Sequence, residues 1–587
     1  MNAVVRRRKI TKDTPRADFS PTVPPFLQTI FRYRGLNSDK DIALSLDALL
    51  PPSLKGLDKA TTLVKASLLK QSGILIVGDF DADGATSCAV LTRGLESMGH
   101  SDVRFIVPNR FEYGYGLTPE IVEIAKNMKP ALIITVDNGI SSVQGVKAAK
   151  DLGIEVIVTD HHLPGAELPN ADAIVNPNQD GCNFSSKNLA GVGVVFYLLM
   201  ALRAELRDEG YFDSKGLSQP NLAELLDLVA LGTVADVVPL DKNNRILVEQ
   251  GLRRIRAGRA CAGVKALLQV AGRSATNLTA SDLGFVLGPR LNAAGRLDDI
   301  SIGIAALLTD DLNFALDIAQ ELDGLNKDRR NIEQGMKREA EQILEKIPEK
   351  DLPIGVCLYD KNWHQGVVGI LASRIKERYH RPTICFAPAN DDEHCNELKG
   401  SARSIPGLHI RDALDIVATQ NPGLVQKFGG HAMAAGLSLE QGKLGAFSDA
   451  FDTVVKSLLS TDQLKKELLS DGELNPSDLS LDVAQIVRRD FPWGQGVPEP
   501  LFDGDFVIVQ QRIVGVSHLK MTLSAQGKPS TLYDAIAFNI DTNEWPDSNA
   551  ENVHVVYSLD VHEFRGKSSL QLLVKHCLLY TSDAADE

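Results

Sequence analysis

The sequence predicts an α/β protein of several domains that ends in a small β-barrel. Two patterns carry that prediction. In the first half, short continuous apolar runs alternate with helix-length stretches, the order that builds a parallel sheet covered on both faces. After Phe491 the texture changes to closely spaced β-rich runs. A chain of 587 residues is also too long for one core, and domain-size priors suggest roughly three or four units.

Residues 1–45 are polar, contain Pro21, Pro24 and Pro25, and read as an arm that lies on the first domain or frays. The α/β region spans 46–310. Its strands are expected at Gly73–Gly78 (GILIVG), Val103–Val107, Ala131–Val136 (ALIITV), Ile154–Thr159 (IEVIVT) and Ala171–Val175, with helices at Ala85–Met98 and Ser141–Leu152. A connecting helix is expected within 311–350, because Leu312 to Ile347 carries apolar residues at helical spacing and no internal Pro. A second α/β domain follows at 351–460, with strands near Ile354–Tyr359 and Thr383–Ala387. In 461–579, a polar helix-compatible stretch precedes five β-like runs: Phe506–Val509, Lys520–Leu523, Tyr533–Phe538, Val553–Leu559 and Ser569–Val574. Their number suits an OB-like barrel, although periodicity does not separate a barrel from a sandwich. The tail 580–587 has no apolar pattern and reads as disordered.

Composition narrows the function classes. No apolar run approaches the ~20 residues of a membrane span, and the basic start MNAVVRRRKITKD lacks the apolar segment of a secretory signal, so the cytoplasm is the expected compartment. Seven scattered cysteines without CxxC spacing argue against a disulfide framework or a structural zinc site. A net charge of −14 excludes a protein coated in basic surface, yet leaves room for a local positive channel.

The chemistry sits at the strand ends. Asp79, Asp81 and Asp83 follow the first central run, Asp137 the second, and Asp160, His161 and His162 the third. In an open α/β sheet, residues beyond the carboxyl ends of the strands share one crevice. A turn at Asp83-Gly84 would let Asp81 and Asp83 face one metal, with Asp137, His161 and His162 adding ligands. Taken singly, each Asp is more readily a helix or turn cap. As a set on successive strand ends they point to hard divalent cations, Mn²⁺ or Mg²⁺, and two ions are expected for phosphoryl chemistry.

GDFDADG, VDNG, TDHH and ALGTVADVVPL resemble the successive motifs of the DHH phosphoesterase superfamily. PNRFEYGYGL, LAGVGVVF, GPRLNAAGR, KGSARS and GGHAMAAG make the chain similar to the RecJ family of single-strand-specific exonucleases within it. The resemblance spans most of the chain. It implies a DHH catalytic domain at 46–310, a DHH-associated substrate-binding domain at 351–460 and a nucleic-acid-binding barrel at 461–579. It also implies metal ligands at Asp81, Asp83, Asp137, His161 and Asp236. His162 would lie beside the water and scissile phosphate, and Asp79 and Asp160 would orient the ligands. Some relatives carry a ligating His four residues before Asp81; here that position is Val77. Arg110, Ser401 and Arg403 are implied in a pocket for a terminal 5′-phosphate, and His431 in substrate contact. Tyr115 suits base stacking, and Arg296, with Arg290 and Asn292, is a candidate for the same crevice.

The implied activity is 5′-to-3′ hydrolysis of single-stranded DNA in repair and recombination. A monomer is expected, with single-strand-binding protein and a RecQ-type helicase as implied partners. Two alternatives share parts of this pattern: a DHH hydrolase of small phosphates, which needs no barrel, and a catalytically dead single-strand scaffold, whose ligands should be eroded.

Overall fold

In the computed structural model, which describes residues 3–12, 14–109, 113–348, 351–390, 396–525, 531–540, 545 and 550–579, the chain divides into two compact units. One comprises Arg7–Asp323 with Ser470–Glu587; the other comprises Met1–Arg6 with Gly324–Leu469.

The larger unit contains a five-stranded parallel sheet. Its strands are β1 (Ile74–Gly78), β2 (Val103–Ile106), β3 (Leu132–Val136), β4 (Glu155–Thr159) and β5 (Ala173–Val175), in the order β2-β1-β3-β4-β5. β1 and β3 are buried throughout, which is why they read as unbroken apolar runs. Gly78 pairs Val136, Val136 pairs Thr159 and Thr159 pairs Val175. The residues that follow, Asp79, Asp137, Asp160 and Asn176, therefore leave the sheet in one row.

Helix α1 (Ala82–Ser97) follows β1. It packs against α2 (Gly191–Asp208) and α3 (Leu226–Ala235), which is apolar on nearly every side and buried accordingly. The helix begins at Ala82, so no turn forms at Asp83-Gly84. Gly84 lies in the first helical turn, where a Cβ would collide with the Asp79 carbonyl. Helix α4 (Gly288–Leu297) completes this face, and the long helix α5 (Leu312–Leu344) starts in this unit and ends in the other.

The smaller unit holds a mixed sheet of β6 (Val356–Tyr359), β7 (Thr383–Pro388), β8 (Glu397–Arg403), β9 (Lys427–Gly430) and β10 (Ala434–Glu440), in the order β9-β10-β8-β7-β6, with helix α6 (Val368–Tyr379) packed on β7 and β8. KGSARS and GGHAMAAG lie largely on paired antiparallel strands: Ser401 pairs Gly436 and Arg403 pairs Ala434.

The last segment resolves the choice between barrel and sandwich. Strands β11 (Phe502–Val514), β12 (His518–Ala525), β13 (Leu532–Ala537), β14 (Asn552–Phe564) and β15 (Lys567–Leu579) close in the order β11-β12-β13-β15-β14. Three strands are 13 residues long, well beyond the runs read from sequence. Register shifts at Ile508/Gln510 and Val556/Tyr557 break the alternation on which such a reading depends.

The N-terminal segment is no frayed arm. The helix Pro25–Arg32 buries Leu27, Ile30 and Phe31, and the Phe31 ring sits 5.0 Å from Phe491 and 6.0 Å from Trp493 in the core shared with the barrel. Arg34 then bonds both oxygens of Asp471, at 2.8 and 2.9 Å, while its guanidinium lies 5.3 Å over Trp493. The tail 580–587 lies outside the described residues. Among those described, no helix is long and apolar enough to cross a membrane, and Cys88, Cys182, Cys261, Cys357, Cys385 and Cys577 are free thiols.

Candidate metal centre

Asp81 caps α1, its Oδ1 accepting from the N–H groups of Asp83 at 2.9 Å and Gly84 at 3.1 Å, a contribution worth about 1 kcal/mol. Asp83, two residues on in the first helical turn and fully buried, accepts from Gly191 N–H at 2.6 Å and Val192 N–H at 3.0 Å at the start of α2. Asp137 leaves β3 with φ +61, a left-handed conformation uncommon for a side-chain-bearing residue. Asp236 sits at the C-terminus of α3. His161 comes from the end of β4, its Nε2 3.1 Å from Asp137 Oδ1 and 3.4 Å from Asp236 Oδ2.

The atoms at this junction are short of partners. Asp137 Oδ1 and His161 Nε2 are both buried and, although within ion-pair distance, make no hydrogen bond of acceptable geometry. Three overlapping sets bring their ligand atoms within 4.8 Å of one another: Asp79, Asp81 and Asp137; Asp83, His161 and Asp236; and Asp137, His161 and His162. Hard oxygens, imidazole nitrogens and orphaned buried atoms together fit divalent cations such as Mn²⁺ and Mg²⁺. Asp79, which sequence reasoning made a neighbour, stands within one of these sets. Val77 is buried in the apolar core, and its carbonyl accepts from Asn138.

Crowding of negative charge is visible in the proton affinities. Burial first, then Asp236, pushes the Asp83 carboxyl up to about 7, and burial with Asp81 pushes Asp236 up to about 8. Asp137 is raised by burial and by Asp83. Burial lowers His161. Burial is the largest single influence on His162 and opposes its charge, but the hydrogen bond to Asp160 together with the negative charges of Asp160, Asp236 and Asp79 lifts it to about 9.

Asp160 takes no part in the three sets. Its oxygens accept from the N–H groups of His161 at 2.7 Å, His162 at 3.0 Å and Ile140 at 2.9 Å, and Oδ1 lies 2.7 Å from His162 Nδ1. The Tyr115 hydroxyl donates to the Asp137 carbonyl at 3.2 Å and lies 3.3 Å from His162 Nδ1.

Several supports escaped sequence reasoning. Asn176 and Asn178 donate to the carbonyls of His162 at 2.9 Å and His161 at 2.6 Å, pinning the His-His pair from the end of β5; the Asn-Pro-Asn after that strand is the signal that could have found them. A Cβ at Gly191 would come within 2.5 Å of the Asp137 Cβ, and one at Gly295 would collide with the Phe80 carbonyl, so both glycines permit close packing on the site. Asn292 does reach the crevice edge, accepting from Ala82 N–H at 2.7 Å. Arg290 does not: it is engaged by Asp323 at 2.8 Å and by the Val286 carbonyl. Arg296, half-buried, follows Gly295 on α4.

In the smaller unit Arg403 Nη1 donates to Ser401 Oγ at 3.1 Å and to the Ala402 carbonyl at 2.8 Å. Both side chains lie over the first turn of α6, where a Cβ at Gly369 would stand 2.9 Å from Arg403 Nη2 and from Ser401 Oγ. A guanidinium, a hydroxyl and a helix N-terminus converging in this way suit an anion. His431 is exposed in the turn between β9 and β10. Arg110 lies outside the described residues.

Three family models match along the chain: the DHH family N-terminal domain at 73–233, the DHHA1 domain at 352–457 and the RecJ OB domain at 470–576. The single-stranded-DNA-specific exonuclease RecJ of Escherichia coli is 54% identical over 573 residues, 97% of this chain and 98% of that protein. Its counterpart in Bacillus subtilis is 33% identical over 94% of this chain and 68% of its own length. Among solved structures, RecJ of Thermus thermophilus in complex with Mn²⁺ has a TM-score of 0.75 at 30% identity, covering 97% of this chain and 81% of that one. The Mg²⁺ complex has a TM-score of 0.71 at 28% identity, covering 97% of this chain and 80% of that one.

Proposed function

The chain belongs to the RecJ family of single-stranded-DNA-specific exonucleases, and from that premise we propose that it is a metal-dependent exonuclease that hydrolyses single-stranded DNA from the 5′ end. The observation that carries this reading is the buried, unsatisfied pair Asp137 Oδ1 and His161 Nε2 amid carboxylates on adjoining strand ends. Asp81, Asp83, Asp137, His161 and Asp236 hold two divalent ions, Mn²⁺ or Mg²⁺. Asp79, grouped with Asp81 and Asp137, takes the ligand place that Val77 cannot fill. Bound there, the ions supply charge neutralisation at the phosphoryl oxygens and a lowered pKa for water.

The chain's own residues do the rest. Asp160 holds a proton on His162 Nδ1, which leaves Nε2 for the phosphate or the departing oxygen. Tyr115 props His162 and offers a ring to a base. Ser401 and Arg403 take the terminal 5′-phosphate, and Arg110 is assigned to phosphate contact. His431 and Arg296 contact the backbone, and the barrel extends the track. In this assignment 46–310 is catalytic, 351–460 binds substrate and 461–579 binds nucleic acid.

An enzyme confined to single strands needs another activity to open duplexes. By likeness to its family we assign it to repair and recombination, as a cytoplasmic monomer working beside a RecQ-type helicase and single-strand-binding protein. The small-phosphate alternative is disfavoured by the RecJ OB match and by likeness along the whole chain.

The test offers a 5′-labelled oligonucleotide, its duplex and pyrophosphate to the purified protein with Mn²⁺ or Mg²⁺. Degradation of the single strand alone is expected. Hydrolysis of pyrophosphate with the oligonucleotide untouched would overturn the reading.

A further inference from the structure

Two of the residues that directly follow candidate site residues are apolar and exposed. Leu163, next to His162, is 61% exposed, and Val237, next to Asp236, is 64% exposed. Phe285, 77% exposed, stands on the π-helical turn Leu283–Leu287. Gly284 of that turn lies against Val234, and Gly288 just after it lies against Ala235, the two residues that precede Asp236. Tyr115, 46% exposed, bonds the Asp137 carbonyl and lies against His162, the residue before Leu163.

Single exposed apolar side chains are ordinary on any protein, but here two directly follow His162 and Asp236 and a third stands on the turn packed against the residues that precede Asp236. Two of them also sit on unfavourable backbone. Val237 has φ +63, an outlier for a β-branched residue, and π-helical turns are rare and concentrate at functional sites. A side chain that gains so little burial does not explain why its strained backbone is retained.

We propose that Leu163, Val237 and Phe285 form an apolar collar that takes the bases of the nucleotides flanking the scissile phosphate. The proposal rests on the exonuclease reading above. Every base has an apolar π-face, so such a collar grips any sequence, and it grips only bases that are not already stacked within a duplex. The collar thereby adds single-strand preference at the metal centre itself.

The test compares two 5′-phosphorylated oligonucleotides of equal length, one with all its bases and one abasic at its first nucleotides. KM and kcat are measured with the full-length protein and Mn²⁺. The wild type is expected to show a lower KM for the base-bearing strand. Phe285→Ser should shrink that KM ratio roughly tenfold and Leu163→Ser should shrink it by less, while Leu69→Ser, altering a residue 51% exposed on the helix Leu57–Lys70, should leave it unchanged. Val237→Asn should shrink the ratio and raise the unfolding midpoint, because Asn tolerates the left-handed conformation. Ratios unmoved in the collar variants while hydrolysis persists would overturn the collar. Failure of the wild type to hydrolyse either strand would overturn the exonuclease reading, and the collar with it.

Discussion

Two sets of buried charge in the larger unit face different things. In the clasp that ties the N-terminal segment to the barrel, Arg34 and Asp471 have side chains only 1% and 0% exposed and meet as a bidentate pair, and the half-exposed Arg7 bonds both oxygens of the buried Asp503. Each of these carboxylates has its cation within the chain. At the sheet edge, Asp83, Asp137, Asp160 and Asp236 face backbone N–H groups, imidazoles and one another, and Asp83 and Asp236 are pushed up to about 7 and about 8. Burying like charges together opposes folding unless an ion offsets it. The clasp is charge arranged for structure; the sheet edge is charge arranged for a ligand.

Substitution should therefore act in opposite ways on the two. Asp137→Ala is expected to reduce hydrolysis of a 5′-labelled single strand to background. In the presence of a chelator it should change the unfolding midpoint little, since the loss of one of several mutually repelling carboxylates offsets a cost of about 1 kcal/mol for Ala in the left-handed conformation at φ +61. Arg34→Ala should instead destabilise by about 3 kcal/mol, the low end for a broken buried pair because Arg8 remains 3.5 Å from Asp471. Thermal melts of both variants in chelator check the contrast. If Asp137→Ala destabilised as much as Arg34→Ala, the sheet edge would be structural after all.

Legibility in the sequence followed the same divide. The strand-end acids could be read because each central strand is an unbroken apolar run that stops at an Asp, and the parallel register then places those stops side by side. Asp236 ends a helix rather than a strand and was reached only through its motif. The clasp was illegible because the partners of Phe31 and Arg34 lie more than four hundred residues downstream, and a short helix behind Pro24 and Pro25 resembles a loose arm. Arg290 looked available for the crevice because its partner, Asp323, sits on another helix. In β8 and β10 the Gly and Ala residues hid strands whose pairing is carried by the backbone.

Ion binding sharpens the comparison further. A ligand that binds only the folded state stabilises it by about 2.7 kcal/mol at a concentration one hundred times its Kd. Saturating Mn²⁺ should raise the midpoint of the wild type and of Arg34→Ala alike. It should do little for Asp137→Ala. An equal Mn²⁺ shift in all three proteins would place the bound ion elsewhere.

Asp160 offers the finest division, because it is buried at the sheet edge yet belongs to none of the sets that could share an ion. It accepts from three backbone N–H groups and from His162. An Asn retains one acceptor oxygen and presents a donor where the other stood, so Asp160→Asn must fail either Ile140 N–H or the His162 contact. Loss of such an orienting partner usually costs about 10- to 100-fold in activity. The fall should appear in kcat, with the Mn²⁺ shift in the midpoint retained because the ion's own ligands are intact. Loss of that shift together with activity would make Asp160 a ligand and move the boundary between holding the ion and holding the histidine by one residue along β4.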